Sequence, residues 1–193
     1  MNRLFQKYAI LILVIFGLIF RMLFYFFNQN ALLTNDSQTY IDLAKLISSG
    51  SINGYFGGRS PGYALLICLL GNSIQLVVLF QVIIGILSSV FWYEILKYFK
   101  FNAVFSLSIS LFFSSFLHVL SYEHAILIES INLLIITLLI YYVINNHILE
   151  TTCCLVILVL LKPFYMYLPF VIFAYFIYHN SNWKSFIKQQ HLD

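Results

Sequence analysis

Charged residues are scarce: they fill 9% of the 193 positions, ten Lys or Arg and seven Asp or Glu. Soluble domains carry about 25%, so this chain has too few ionic groups to cover a water-soluble globule. That shortage excludes a soluble Rossmann-type enzyme. Cysteine is also rare. Cys68, Cys153 and Cys154 form neither the even framework of a secreted disulfide scaffold nor metal-ligand spacing, and read as thiols buried in apolar runs. The net charge of +3 is too small and too scattered for a nucleic-acid partner. What abounds is hydrocarbon: 62% of the chain is hydrophobic and 19% aromatic. Several apolar runs reach the roughly 20 residues that span a bilayer. The composition is that of an integral membrane protein, and it excludes a disordered tail.

The first run is 8–27, preceded by Arg3 and Lys7. It is longer than the apolar core of a cleaved signal peptide, about 7–15 residues, and has no small-residue cleavage site. It reads as an uncleaved first span ending in an aromatic belt of Phe24, Tyr25, Phe26 and Phe27. Arg21, near that exit, is expected to snorkel to the interface. Residues 28–72 differ in composition. They hold Asp36, Asp42, Lys45, Arg59, Pro61 and six of the eight glycines. Within them, Tyr40, Leu43, Ala44 and Ile47 fall at i, i+3, i+4 and i+7, the face of a short amphipathic helix over 37–49 that stops at Gly50. Such a helix is expected to lie in the plane of the interface.

Further spans are predicted over 73–96, 103–120 and 125–143. The turn of 121–124 makes the last two an antiparallel hairpin, and Asn145, Asn146, His147 and Glu150 form the next turn. The remaining run, 151–178, would be about 42 Å long as one helix, more than a core of about 30 Å and less than two full spans need. Lys162, Pro163 and Pro169 interrupt it. Two short helices, 151–161 and 164–179, meeting near Lys162-Pro163 are preferred to one kinked helix. The expected fold is thus all-α: a polytopic transmembrane helix bundle in a single membrane domain, 1–193, with an extracytoplasmic loop, 28–72, carrying a short amphipathic helix. The distribution of Arg3, Lys7, Lys97, Lys100 and, with six spans, Lys184 and Lys188 places the N-terminus in the cytoplasm and the long loop outside it.

A charge within an apolar span costs about 2.5–3.5 kcal/mol on insertion scales, so those that remain are candidates for function. Asp36 begins the amphipathic helix, where it reads either as an N-cap or as a general base at the membrane surface. Glu129, with Asn132 at i+3 on the same face, either hydrates at the interface or faces a cavity in the bundle. Glu123 and His124 read as solvated turn residues. Lys162 either snorkels or binds an anionic headgroup as a point charge. Arg59-Ser60-Pro61-Gly62-Tyr63 is a turn bearing a cation at the membrane edge. His118, His147, His179 and His191 are scattered and support no metal cluster, so a divalent metal has no sequence support and no cofactor is firmly expected.

Taken in order, these pieces resemble the opening of GT-C glycosyltransferases. The similar branch is that of the bacterial protein O-mannosyltransferase-like and aminoarabinose-transferase-like enzymes. A first span is followed by an outer loop with Asp36, a helix with Tyr40 and Ala44, and then Arg59-Ser60-Pro61-Gly62-Tyr63-Ala64-Leu65-Leu66. The family pattern there is Arg-x-Pro-Gly-Tyr-Pro-Leu-Leu, and Ala64 replaces the second Pro. Ala125-Ile126-Leu127-Ile128-Glu129-Ser130 resembles the family's Leu-Leu-Thr-Glu-Ser/Thr start of a span. Val159-Leu160-Leu161-Lys162-Pro163 resembles its Leu-Thr-Lys/Arg-Pro stretch.

The resemblance covers the N-terminal half of such enzymes. It implies transfer of a sugar from a polyprenyl-phosphate-linked donor to an acceptor on the extracytoplasmic face of a bacterial inner membrane, in the service of the cell envelope. By the same resemblance Asp36 would be the catalytic base and Glu129 a second acidic site residue. Arg59, Tyr63 and Lys162 would serve substrate binding. Some branches place a second acidic residue beside the aspartate; Ser37 stands there instead. The implied partners are the lipid-linked donor, membrane lipid and a second membrane subunit. A non-catalytic subunit, a lipid-sugar flippase or a truncated remnant are the alternatives. Of these, a flippase has little need for a long outer loop bearing Asp36 and Arg59.

Overall fold

The computed structural model describes residues 3–51, 53–55 and 57–179. Among them the chain is all-helical, with a single parallel bridge between Leu32 and Ala125 and no strand. Helix α1 spans Arg3–Phe27, α2 Asn35–Ser48, α3 Pro61–Leu69, α4 Ile74–Tyr98 and α5 Ala103–Ser115. Then follow α6 Leu117–His124, α7 Glu129–Ile144, α8 Ile148–Leu161, a 3-10 turn over Pro163–Tyr167, and α9 Leu168–His179. Two stretches, Tyr8–Phe27 in α1 and Ile74–Tyr98, are long and apolar enough to cross a membrane; α5 and α6 together make a third, bent by 47°. Lys184 and Lys188, invoked for orientation, lie outside the described residues.

Helix α4 forms the centre, packed against α1, α5, α6 and α7, while α7 also holds α8. Small side chains let these helices approach closely. Ser106, Ser110 and Ser114 recur every fourth residue along the buried face of α5, and Ser88 and Ser89 are buried in α4. Gly85 in α4 is needed for another reason: a Cβ there would collide with the Glu123 carboxylate and lie 2.6 Å from Arg21 Nη2.

That collision marks the main correction to the sequence reading. Arg21 does not snorkel. It is buried and binds Glu123 in a fork, Nε to Oε2 at 2.7 Å and Nη2 to Oε1 at 2.5 Å. Its Nη1 donates to Gly17 O and Ser114 Oγ, both at 3.1 Å. Glu123 and His124, expected in a solvated turn, are only 2% and 3% exposed. They close α6 instead of linking two spans, so the expected span 103–120 is two helices broken at Phe116. The break follows the Ser114-Ser115 pair; Ser115 Oγ bonds back to Leu111 O at 3.1 Å, a common cause of helix bending.

The next departure lies at 125–128. This stretch is not the start of a helix, because its backbone groups are taken elsewhere. Leu32 N donates to His124 O at 3.1 Å and Ile126 N to Leu32 O at 3.3 Å. Gln81, fully buried in α4, donates to Glu123 O at 2.8 Å and Ala125 O at 2.7 Å. Glu129 therefore opens α7 and is not one turn inside it. Further on, Glu150 belongs to the first turn of α8 and not to the preceding turn. The break near Lys162-Pro163 is present, with Lys162 extended at φ −150°. Of the thiols, Cys154 is buried, Cys68 half-buried and Cys153 exposed, all three free.

Candidate functional site

The site starts with the cap of α2. Thr34 is the N-cap: its side chain accepts from Ser37 N, and Ser37 Oγ accepts from Thr34 N at 3.0 Å. This reciprocal box does the work the sequence reading offered to Asp36. Asp36 sits two residues further along, in the first turn, with an exposed side chain, and it forms an ion pair with Arg59. The Arg59 guanidinium also stands 5.4 Å from the centre of the Tyr40 ring, within cation–π range. Tyr40 meets Tyr63 edge to face at 5.0 Å between centroids. Tyr63 is fully buried and donates through its hydroxyl to Gln81 Oε1 at 2.7 Å. Two aromatic rings thus carry the Asp36–Arg59 pair down to the buried amide that shapes 123–125.

Gln81 was missed in the sequence. Its amide uses both donor hydrogens and its acceptor, a set no other side chain of that size supplies.

Two further motifs meet through glycine. A Cβ on Gly62 would lie 2.8 Å from Leu160 O, so the start of α3 rests on the end of α8. Ser60 Oγ donates to Leu161 O, and Tyr55 donates to Arg59 O. The Arg59-Ser60-Pro61-Gly62 turn is thereby seated against Leu160-Leu161-Lys162. Lys162 itself is exposed. It and Glu129 line one cavity of about 630 Å³ together with Trp92, Phe113, Asn132 and Tyr165. Phe112 and Phe116, both exposed, stand at its edge. Glu129 and Asn132, one helical turn apart, look onto this same space.

Comparisons with protein-family models, curated proteins and solved structures return no match for this chain.

Electrostatics tie the cavity to the outer pair. Burial pushes the Tyr40 phenol above its ordinary value, the Arg59 cation opposes that, and the Glu129 and Asp36 carboxylates reinforce it. Burial, followed by Tyr40 and Glu129, also pushes the Tyr63 phenol far up. Both phenols therefore stay protonated at neutral pH, so Tyr63 can hold its bond to Gln81. Glu129 acts on the same aromatic pair that underlies Arg59. The five residues singled out in the sequence, Asp36, Arg59, Tyr63, Glu129 and Lys162, come together in one region built by α2, α3, α7 and the α8 break. Among the described residues no group of three or more His, Cys, Asp or Glu is arranged to hold a metal ion.

Chemically, the region offers an exposed carboxylate in reach of a cation, a second carboxylate in an aromatic cavity, and a lysine on that cavity. Neither Trp92 nor the Arg21–Glu123 pair stands out by periodicity. For the pair, the rule that charges in apolar spans are costly was a usable signal, since it demands a partner for Arg21.

Proposed function

We propose that this chain is a polytopic membrane glycosyltransferase, GT-C-like. It transfers a sugar from a polyprenyl-phosphate-linked donor to an acceptor hydroxyl on the extracytoplasmic face. It acts alone or with a second membrane subunit, and its N-terminus is cytoplasmic. The observation that carries the reading is the Asp36–Arg59 pair, open to water on the Tyr40 ring, which also feels the charge of Glu129 from the cavity that Glu129 and Lys162 line. Arrival of an anionic donor gives Arg59 a second partner and frees Asp36 to accept a proton.

In the proposed reaction the acceptor oxygen bonds to the anomeric carbon of the sugar as its proton passes to Asp36. The bond from that carbon to the carrier phosphate oxygen breaks, and its electron pair stays on the departing phosphate. Arg59, with Lys162, stabilises the charge that develops there. Glu129 sits where it can orient the sugar.

Purified protein in lipid nanodiscs, given a radiolabelled polyprenyl-phosphate sugar and membrane extract as acceptor source, tests this. Asp36→Asn is expected to lower transfer roughly a hundredfold or more, the usual contribution of a general base. Wild-type rates in that variant would remove Asp36 from the role. A wild-type chain that transfers no sugar but moves labelled lipid between leaflets would be a flippase.

A further inference from the structure

Three buried polar atoms without a hydrogen-bond partner belong to residues lining this cavity: Trp92 Nε1, Asn132 Oδ1 and Glu129 Oε2. Asn132 is only 5% exposed. Buried polar groups are nearly always satisfied, because removing them from water without a partner is costly. Together the three present one donor and two acceptors. A ligand that satisfies them must bring at least two donor hydrogens and one acceptor.

A hydrocarbon tail brings none. A bare phosphate brings acceptors, which a carboxylate repels. Hydroxyl groups on a ring bring both, and the ring's C–H faces suit aromatic and aliphatic walls such as Phe113, Leu133 and Ile136. The volume of about 630 Å³ lies in the range of small-molecule sites.

We infer that Trp92, Asn132 and Glu129 form a sugar-reading subsite inside this cavity, which takes the glycosyl group of a lipid-linked donor whose phosphate lies toward Lys162. The inference rests on the transferase reading for the donor's chemical class. It adds the residues that choose the sugar. Asn132 and Trp92 discriminate by hydrogen bonds that only a correctly placed hydroxyl completes, since a mismatched ring leaves buried groups unpaired.

The chain has two tryptophans, so Trp183→Phe leaves Trp92 as the sole reporter. Full-length Trp183→Phe protein in nanodiscs is titrated with farnesyl phosphate and with its glucosyl and mannosyl forms while Trp92 emission is followed. At least one glycosylated probe is expected to bind about tenfold more tightly than farnesyl phosphate. Adding Asn132→Leu is expected to erase that advantage and leave farnesyl phosphate affinity unchanged. The melting temperature should hold or rise, because an unpartnered acceptor has been removed.

Equal affinity for all three probes overturns the subsite. So does a variant that melts early and binds nothing, which would make Asn132 a structural residue. Sugar-selective binding in a chain that transfers nothing would remove the catalytic reading and leave the subsite. Transfer without sugar-dependent affinity would do the reverse.

Discussion

Two arginine–carboxylate pairs stand among the described residues, and they share chemistry but little else. Arg21 and Glu123 are each only 3% exposed at the side chain, whereas Arg59 and Asp36 are 34% and 54% exposed. Arg21 fills its fork with Glu123 and spends Nη1 on α1 and α5, so the pair ties three helices. Buried among them, it is closed to a ligand. The Asp36 carboxylate belongs to an exposed residue of a helix capped by someone else. A buried pair specifies architecture, while an open one with an aromatic floor is available to a substrate.

That contrast is sharpest in stability. Removing one partner of a buried pair strands a charge, so Glu123→Leu is expected to destabilise the protein by about 3–5 kcal/mol. The double variant Arg21→Met with Glu123→Leu should recover most of that loss. Thermal unfolding of the purified protein in detergent reads both. A double variant as unstable as the single would mean the pair's worth lies in its bonds to Gly17 and Ser114. A smaller loss follows from Gln81→Leu. It leaves the Tyr63 hydroxyl and the Glu123 carbonyl unpartnered and the Ala125 carbonyl with Leu127 N alone, a cost of about 2 kcal/mol, and it is expected to weaken Tyr63 and the 125–128 stretch together. Hydrogen exchange at Ile126 checks the second half.

The surface pair gives the smallest change. Asp36→Asn removes an exposed ion pair and should shift stability by less than about 1 kcal/mol, even where it abolishes transfer. Thr34→Ala, which removes the true cap, should cost about 1 kcal/mol and leave any activity in place. If Asp36→Asn were the more destabilising of the two, the surface pair would be structural after all and the comparison would fail.

Much of the helical order was legible in the chain because apolar period and length carry it. The amphipathic α2 follows from Tyr40, Leu43, Ala44 and Ile47, and the break at Lys162-Pro163 from a residue that cannot donate. The ends of the hairpin were not legible. Residues 117–124 carry His118, Ser121, Glu123 and His124 yet form a helix, the wholly apolar 125–128 do not, and what separates them is the fate of their backbone groups. Leu32 and Gln81 take the Glu123, His124 and Ala125 carbonyls, and neither is near them in sequence. Asp36 was marked as chemically eligible by its residue type and place, but a neighbour decided that it was not the cap. Thr34 and Ser37 form that box between them.

By itself, then, the sequence determined what composition and local period can determine. These are an all-helical chain with helices apolar enough to cross a membrane, a polar stretch between the first two of them, and a short set of charged residues that could do chemistry. Tertiary structure alone decided which charges are spent and which are free. That choice depends on partners up to 102 residues apart, as with Arg21 and Glu123. No local pattern encodes such a meeting; only close packing at Gly17, Gly85 and the serines of α5 brings it about.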